Sequence, residues 1–188
     1  GYVHAQAGLA RVAAARGGFP DAATRLRRVV DRLPLPEYAI LLGDVLSRSG
    51  QPAAARRAYA LVSTLERVLA ANGVRTELQT ALFDLDRGVR LGDALRRAQA
   101  AYRSAPSVAA ADAVAWGLVR TGRCEEARSW SQRALRLGTK DALFHFHRGM
   151  IERCLGNDAA ARSGFRQALR IDPNFSHRWN SVAEKYAG

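Results

Sequence analysis

Apolar residues along this chain recur at the spacing of one face of an α-helix, in segments separated by turn signals. The clearest segment lies near the end of the chain, where Ala161, Phe165, Ala168 and Leu169 share one helical face. A turn at residues 155–158 precedes this segment, and Pro173 ends it. The pattern predicts two helices joined by a tight turn and closed by a proline.

The same two-helix pattern repeats along the chain. Each predicted second helix has an alanine at a matching position, and successive alanines are separated by 33, 39, 33 and 34 residues: Ala22, Ala55, Ala94, Ala127 and Ala161. A period near 34 residues is typical of a helix-turn-helix solenoid. The longest interval contains Asn72-Gly73, which predicts a left-handed cap after an extended second helix, with a local change in stacking.

The last repeat resembles a tetratricopeptide repeat. Small residues, a turn glycine, an aromatic residue and a closing proline occupy the positions of that pattern: Gly149, Gly156, Ala161, Phe165, Ala168 and Pro173. The resemblance implies an all-α fold, a right-handed α-solenoid of antiparallel helix pairs with about five repeats and a C-terminal capping helix. The third repeat departs most, because Val89 occupies its turn position.

We therefore expect eleven helices in a single solenoid domain over residues 1–188. The predicted repeats and the capping helix have these bounds: 3–35, 36–73, 75–107, 108–140, 142–174 and 175–187.

In tetratricopeptide proteins the first helix of each pair lines a concave groove, and the resemblance transfers the ligand-contacting positions to this chain. The peptide-binding residues it implies, which we call the candidate groove, are Phe83, Asp86, Arg87, Asp112, Trp116, Arg120, Phe146, Met150 and Arg153. Phe83, Trp116 and Met150 share one repeat position, and Phe146 and Leu143 lie beside them. This arrangement predicts an exposed apolar strip able to seat a peptide or helix. The alternative is that neighbouring helices or the capping helix bury these side chains.

Four arginines fall near the ends of predicted first helices: Arg48, Arg87, Arg120 and Arg153. Arginine can hold a ligand carboxylate in a two-pronged hydrogen bond. The sequence favours a solvated or ion-paired ladder instead, because acidic residues lie within reach: Asp44, Asp86 and Asp112. No lysine or asparagine occupies the implied groove positions, which argues against a clamp for a chaperone tail.

The net charge of +12 raises the question of a nucleic-acid partner. Lys140 and Lys185 are the only lysines, and such an arginine excess is typical of a GC-rich, bacterial genome. Most of the arginine excess falls on predicted second helices, away from the groove aromatics, whereas a nucleic-acid groove combines both. We therefore expect a protein or peptide partner and no nucleic acid, with any membrane contact peripheral.

The alternative to a peptide-binding scaffold is a structural or assembly module. Such a module would self-associate, or dock an acidic partner through a basic convex face. The sequence leaves the oligomeric state open.

No residue constellation predicts an enzyme, a cofactor or a metal site. His145 and His147 point to different faces of a helix, so they cannot easily share a metal. Cys124 and Cys154 have different predicted facings, which favours two packed thiols over a disulfide. No run approaches the roughly 18 apolar residues that span a bilayer. Because the chain begins at Gly1 rather than methionine, the lack of a signal peptide leaves the compartment open, with the cytoplasm as the default.

Overall fold

The computed structural model describes residues 2–188, and over this range the protein has eleven helices and no strand. Ten helices form five consecutive pairs: α1 (Val3–Ala15) with α2 (Phe19–Arg32), α3 (Pro36–Arg48) with α4 (Pro52–Ala71), α5 (Glu77–Arg87) with α6 (Leu91–Ser104), α7 (Val108–Arg120) with α8 (Cys124–Leu135), and α9 (Ala142–Cys154) with α10 (Asp158–Ile171). The last helix is α11 (Asn180–Ala187). The prediction of eleven helices is confirmed, although the last helix begins at Asn180, later than the predicted residue 175. Among residues 2–188, no helix is both long and apolar enough to cross a membrane.

A left-handed glycine forms the turn inside each helix pair. Four of these glycines are the second residue after the first helix, with φ between +73° and +81°: Gly17, Gly50, Gly122 and Gly156. In the third pair the glycine comes one residue earlier, at Gly88, and Arg90 is also left-handed with φ +47°. Glycine adopts this conformation without steric cost. The irregular third repeat is therefore a shifted turn.

The buried carboxylate of Asp84 anchors this shifted turn. Arg90 Nη2 donates to Asp84 Oδ2 at 2.8 Å, and Arg97 from α6 binds the same oxygen. The Asp84 side chain is only 2% exposed, so these two guanidinium groups neutralise a charge that would otherwise be costly to bury.

The helix α4 is extended, as the 39-residue interval predicts. It has 20 residues, compared with 14 in α2. It ends at Ala71, and Asn72 caps it before the left-handed Gly73 with φ +74°. Asn72 Nδ2 donates to the carbonyl of Val68 at 2.8 Å, which satisfies one backbone acceptor at the helix end. A local change in stacking at this interval stays a prediction.

The chain divides into two compact units, one ending at Thr80 and the other comprising Ala81–Gly188, so the boundary lies inside α5. The first unit has a core shared by α1 to α4 that includes Leu26 and Val45. The core of the second unit includes Leu85, Trp116, Phe146 and Phe165. A single solenoid domain over the whole chain stays a prediction.

Small residues allow α9 and α10 to pack closely, as the repeat pattern predicts. A Cβ atom at Gly149 would lie 2.7 Å from Phe165 Cε1, and one at Gly164 would lie 2.8 Å from Gly149 Cα. Both distances are too short for a real side chain. Phe165 is completely buried, and its ring fills the space beside Gly149, whereas Gly164 leaves room for the backbone of α9.

The expectation of two packed thiols is wrong, because Cys124 and Cys154 form a disulfide with a Cα–Cα distance of 6.0 Å. Cys124 begins α8 and Cys154 ends α9. These helices run antiparallel, which brings the beginning of one beside the end of the other. The facings inferred within single helices were a poor guide, since both cysteines are terminal residues at the same end of the helix pair.

Candidate functional site

Asp86, in the last turn of α5, binds two tryptophan side chains at once. Its Oδ1 atom accepts a hydrogen bond from Trp116 Nε1 at 2.9 Å and another from Trp179 Nε1 at 2.9 Å. Trp116 belongs to α7, whereas Trp179 directly precedes α11. A carboxylate oxygen can accept from both donors, and bonds to an ionised acceptor are stronger than neutral ones. Asp86 therefore links α7 and the end of the chain to α5.

Trp116 lies at the centre of an aromatic cluster and is completely buried. Its ring stacks on the imidazole of His147, with ring centroids 4.4 Å apart and an interplanar angle of 12°. Phe146 approaches it edge-on at 6.1 Å. The guanidinium carbon of Arg120, one turn further along α7, lies 5.3 Å from the Trp116 ring centroid.

Trp179 meets the same residues from the other side. Its ring packs edge-to-face on Trp116 at 5.5 Å and stacks on Phe146 at 5.5 Å with an interplanar angle of 28°. The guanidinium of Arg120 lies 5.6 Å from its centroid. Four residues of the candidate groove, Asp86, Trp116, Arg120 and Phe146, thus converge on one side chain.

The prediction of an exposed apolar strip is wrong for Trp116 and Phe146, because both side chains are 0% exposed. The physical reason is that Trp179 covers both rings, and Phe175 packs on Phe146 at a centroid distance of 5.5 Å. The alternative interpretation of the sequence, in which the capping region buries these side chains, applies to Trp116 and Phe146. Phe83 and Met150 are half-buried.

Asp112, another residue of the candidate groove, lies in the core. Its Oδ2 is 2.8 Å from His147 Nδ1, and both side chains are at least 96% buried. Burial by itself lowers the pKa of His147, but the charge and hydrogen bond of Asp112 outweigh it and raise that pKa above its ordinary value. Asp112 therefore holds the imidazole on which Trp116 stacks. It does not present a carboxylate to a ligand.

Burial also shifts the pKa of Arg120, downward from its ordinary value. The carboxylate of Asp86 opposes this shift, whereas Arg178 adds to it. The guanidinium also lies near the faces of two indoles. Cation–π attraction and the pairing with Asp86 both stabilise the cation and so oppose the effect of burial.

The arginines at the ends of the first helices lie over aromatic rings. Arg48 lies over Phe19 at 5.6 Å, Arg87 over Phe83 at 5.4 Å, and Arg153 over Tyr186 at 4.0 Å. Arg120 lies over both indoles, as described above. From the sequence we considered a ligand carboxylate, an ion pair or solvation for these residues, and an aromatic partner was not predicted; each of these cations lies over an aromatic ring. Arg87 and Arg153 remain exposed.

A second polar cluster surrounds Glu152 at the junction of α8, α9 and α10, and the sequence did not indicate it. Glu152 accepts hydrogen bonds from Arg128 at 3.1 Å and Asn157 at 2.8 Å and pairs with Arg148 at 2.6 Å. Burial alone would raise the pKa of Glu152, but these partners lower it below its ordinary value. The cluster ties three helices together. Within residues 2–188, no group of histidine, cysteine and acidic side chains is arranged to hold a metal.

Trp179 is the site residue that the sequence missed. It lies within the residues predicted for the capping helix, 175–187, but its contact with Asp86, 93 residues earlier, was not predicted. The aromatic residues of the chain end, Phe175, Trp179 and Tyr186, are the one sequence signal that could have indicated it.

Comparison with known proteins agrees with this architecture. The tetratricopeptide repeat model matches residues 8–64 and 113–174, more than half of the chain. The protein therefore belongs to the tetratricopeptide repeat family, whose members are scaffolds for protein–protein interaction and typically not enzymes.

One similar solved structure is the tetratricopeptide repeat domain of P58(IPK), at 14% sequence identity and a TM-score of 0.46. The match covers 98% of this chain and 65% of that chain, so the present chain spans about two thirds of its length. No curated protein sequence matches the chain significantly.

Proposed function

We propose that the protein is a non-catalytic scaffold that holds a peptide or helix of a protein partner in the candidate groove. The observation that carries this proposal is the convergence of Asp86, Trp116, Arg120 and Phe146 on the single side chain of Trp179. These four residues come from α5, α7 and α9, the first helices of three consecutive pairs. Side chains from three repeats that contact one aromatic residue can contact a partner's side chain in the same way.

The half-buried and exposed members of the candidate groove supply its accessible edge. Met150 is half-buried, while Arg87 and Arg153 are exposed. An apolar centre with a charged rim is the usual arrangement of a protein-binding surface. In this proposal the arginines orient acidic groups of the partner. The aromatic centre, which Trp179 covers, provides most of the affinity once the partner takes the place of Trp179.

Selection from a random peptide library tests the proposal. We expect peptides enriched on the wild-type protein to lose at least about tenfold in affinity when Arg87→Glu reverses the charge at the groove edge. Arg162→Glu on α10 is the matched control, since it makes the same charge change at another exposed residue. Peptides that bind both variants equally well, or a library that yields no binder, would contradict the proposal.

A second candidate function is docking of an acidic partner on the outer helices. The supporting observation is a row of exposed arginines at four-residue spacing on α10: Arg162, Arg166 and Arg170. In the same selection, binders that are lost with Arg162→Glu and retained with Arg87→Glu favour this function. Light scattering at several protein concentrations tests the related case of self-association.

A further inference from the structure

The end of the chain, residues 172–188, lies over the candidate groove with few fully buried residues; we call it the C-terminal segment. Of its residues only Ala183 is fully buried, and α11 has eight residues. By contrast, nine of the thirteen residues of α7 are buried. Segments with few buried contacts open locally at a lower free energy than the core around them. Phe175 and Trp179 provide the aromatic contacts of the C-terminal segment with Phe146 and Trp116.

The pocket of Trp179 is matched to an indole rather than to an apolar side chain in general. Asp86 can use only a side chain that donates a hydrogen bond, and the 2.9 Å distance to Trp179 Nε1 meets that need. Arg120 favours an electron-rich ring, of which indole is the best among the side chains. Phe146 and Trp116 provide a stacked face and an edge contact. A leucine would cover the same rings but would satisfy neither Asp86 nor Arg120.

We propose that the groove recognises a protein segment that presents a tryptophan, with a second aromatic residue four positions before it, and that this segment displaces Trp179. The spacing is that of Phe175 and Trp179, the pair now seated on Phe146. The C-terminal segment is then a built-in competitor that lowers the apparent affinity for weak or mismatched ligands. This inference rests on the proposed function and names the chemistry of the partner.

The experiment uses the full chain and a labelled synthetic peptide that corresponds to residues 172–188. Fluorescence anisotropy measures its binding to the wild type and to Trp179→Ala, which vacates the pocket without changing its other residues. We expect the peptide to bind Trp179→Ala at least about tenfold more tightly than the wild type. A peptide with alanine in place of its tryptophan is expected not to bind. Adding Asp86→Asn to the Trp179→Ala protein is expected to weaken binding several-fold, since a neutral acceptor replaces an ionised one.

Trp130→Ala is the matched control variant. Trp130 lies on α8, where it packs edge-on against Tyr102 at 4.8 Å and against the core cluster that contains Phe144, whereas Trp179 packs against the cluster that contains Trp116 and Phe146. We expect this variant to bind the peptide as weakly as the wild type does.

Hydrogen exchange of the unmodified protein gives an independent readout. We expect amides of the C-terminal segment to exchange by local opening, well before those of α7 and α9. Exchange of all three only through global unfolding would overturn the inference. So would a Trp179→Ala protein that fails to fold, or one that folds by circular dichroism and does not bind the peptide. A wild-type dimer formed by exchange of this segment between two copies would also overturn it.

These outcomes leave the proposed function separately testable. If library selection on Trp179→Ala yields peptides without tryptophan that still depend on Arg87, the scaffold function stands and the indole inference fails. If selection yields no peptide that depends on the groove, the scaffold function itself fails.

Discussion

The indole N–H of Trp179 donates to Asp86 Oδ1 at 2.9 Å across 93 residues of sequence. The same oxygen accepts from Trp116 at 2.9 Å, so one carboxylate on α5 joins the C-terminal segment to α7. Ala183 is the one fully buried residue of the C-terminal segment, so this hydrogen bond adds a specific polar contact that holds the segment in place.

Asp86→Asn is expected to destabilise the second unit by about 1–3 kcal/mol, because two hydrogen bonds to an ionised acceptor become bonds to a neutral one. Urea unfolding followed by tryptophan fluorescence measures this effect, since all three tryptophans, Trp116, Trp130 and Trp179, lie in that unit. Glu125→Gln, in the same unit, is the control: its side chain is 81% exposed and lies 3.9 Å from Arg128, and we expect a change below about 0.5 kcal/mol. Equal effects of the two substitutions would contradict this account of Asp86.

Trp116→Ala is expected to cost about 3–5 kcal/mol, because it leaves a cavity among His147, Phe146 and Trp179. Urea unfolding followed by far-ultraviolet circular dichroism measures the loss. Trp130→Ala is the matched control, and a smaller loss is expected because that side chain is only half-buried. A Trp116→Ala protein as stable as the wild type would show that the residue is not part of the core.

Reduction of the disulfide between Cys124 and Cys154 is expected to lower the free energy of unfolding by about 2–4 kcal/mol, since the bond closes a loop with a sequence separation of 30 residues. Thermal unfolding with and without a reducing agent measures this loss. The double variant Cys124→Ser, Cys154→Ser should unfold at the temperature of the reduced wild type and should not respond to the reducing agent. A wild type that is insensitive to reduction would contradict a structural role for the bond.

The pair of His147 and Asp112 predicts a pH dependence of stability. Asp112 raises the pKa of His147 above 6.5 in the folded state, so its contribution is fully present below pH 6.5 and is lost as pH rises through the folded pKa. We therefore expect His147→Gln to flatten the decline in the free energy of unfolding as the pH rises above 6.5. Urea titrations at several pH values measure the slopes.

His145→Gln is the control for this prediction and has the opposite sign. Burial lowers the pKa of His145 below 6.5, so its contribution is present above pH 6.5 and is lost as the pH falls. Its replacement should change stability on the acidic side and leave the decline above pH 6.5 intact. A His147→Gln protein with the wild-type slope above pH 6.5 would contradict the assignment.

Gly149→Ala and Gly8→Ala are expected to have opposite effects although both glycines are helical. A Cβ atom at Gly149 would collide with Phe165, which predicts a loss of about 1–3 kcal/mol. A Cβ atom at Gly8 has no neighbour within 4 Å, so the higher helix propensity of alanine should stabilise α1 by about 0.5–1 kcal/mol. Thermal unfolding of the two variants checks both signs. Stabilisation by Gly149→Ala would contradict the close packing of α9 and α10.

Sequence alone predicted the features of this protein that depend on neighbours a few residues apart. The helix pairs, the turn glycines and the long α4 followed from apolar periodicity, left-handed glycine positions and one long repeat interval. Most of the residues that meet at Trp179 were also predicted, because equivalent positions of successive repeats fall on the same side of stacked first helices.

Only the tertiary structure decided how these residues are used. The pairing of Asp112 with His147 and the bond between Cys124 and Cys154 depend on contacts across 30 or more residues. The burial of Trp116 and Phe146 depends on the path of the chain end. Helical spacing sets the direction of a side chain relative to its own helix axis, whereas a contact also requires the position of the second helix. The contact between Trp179 and Asp86 depends on how the chain end packs on the first helices. Because of this contact, the residues predicted to form an open apolar strip form a pocket that Trp179 occupies.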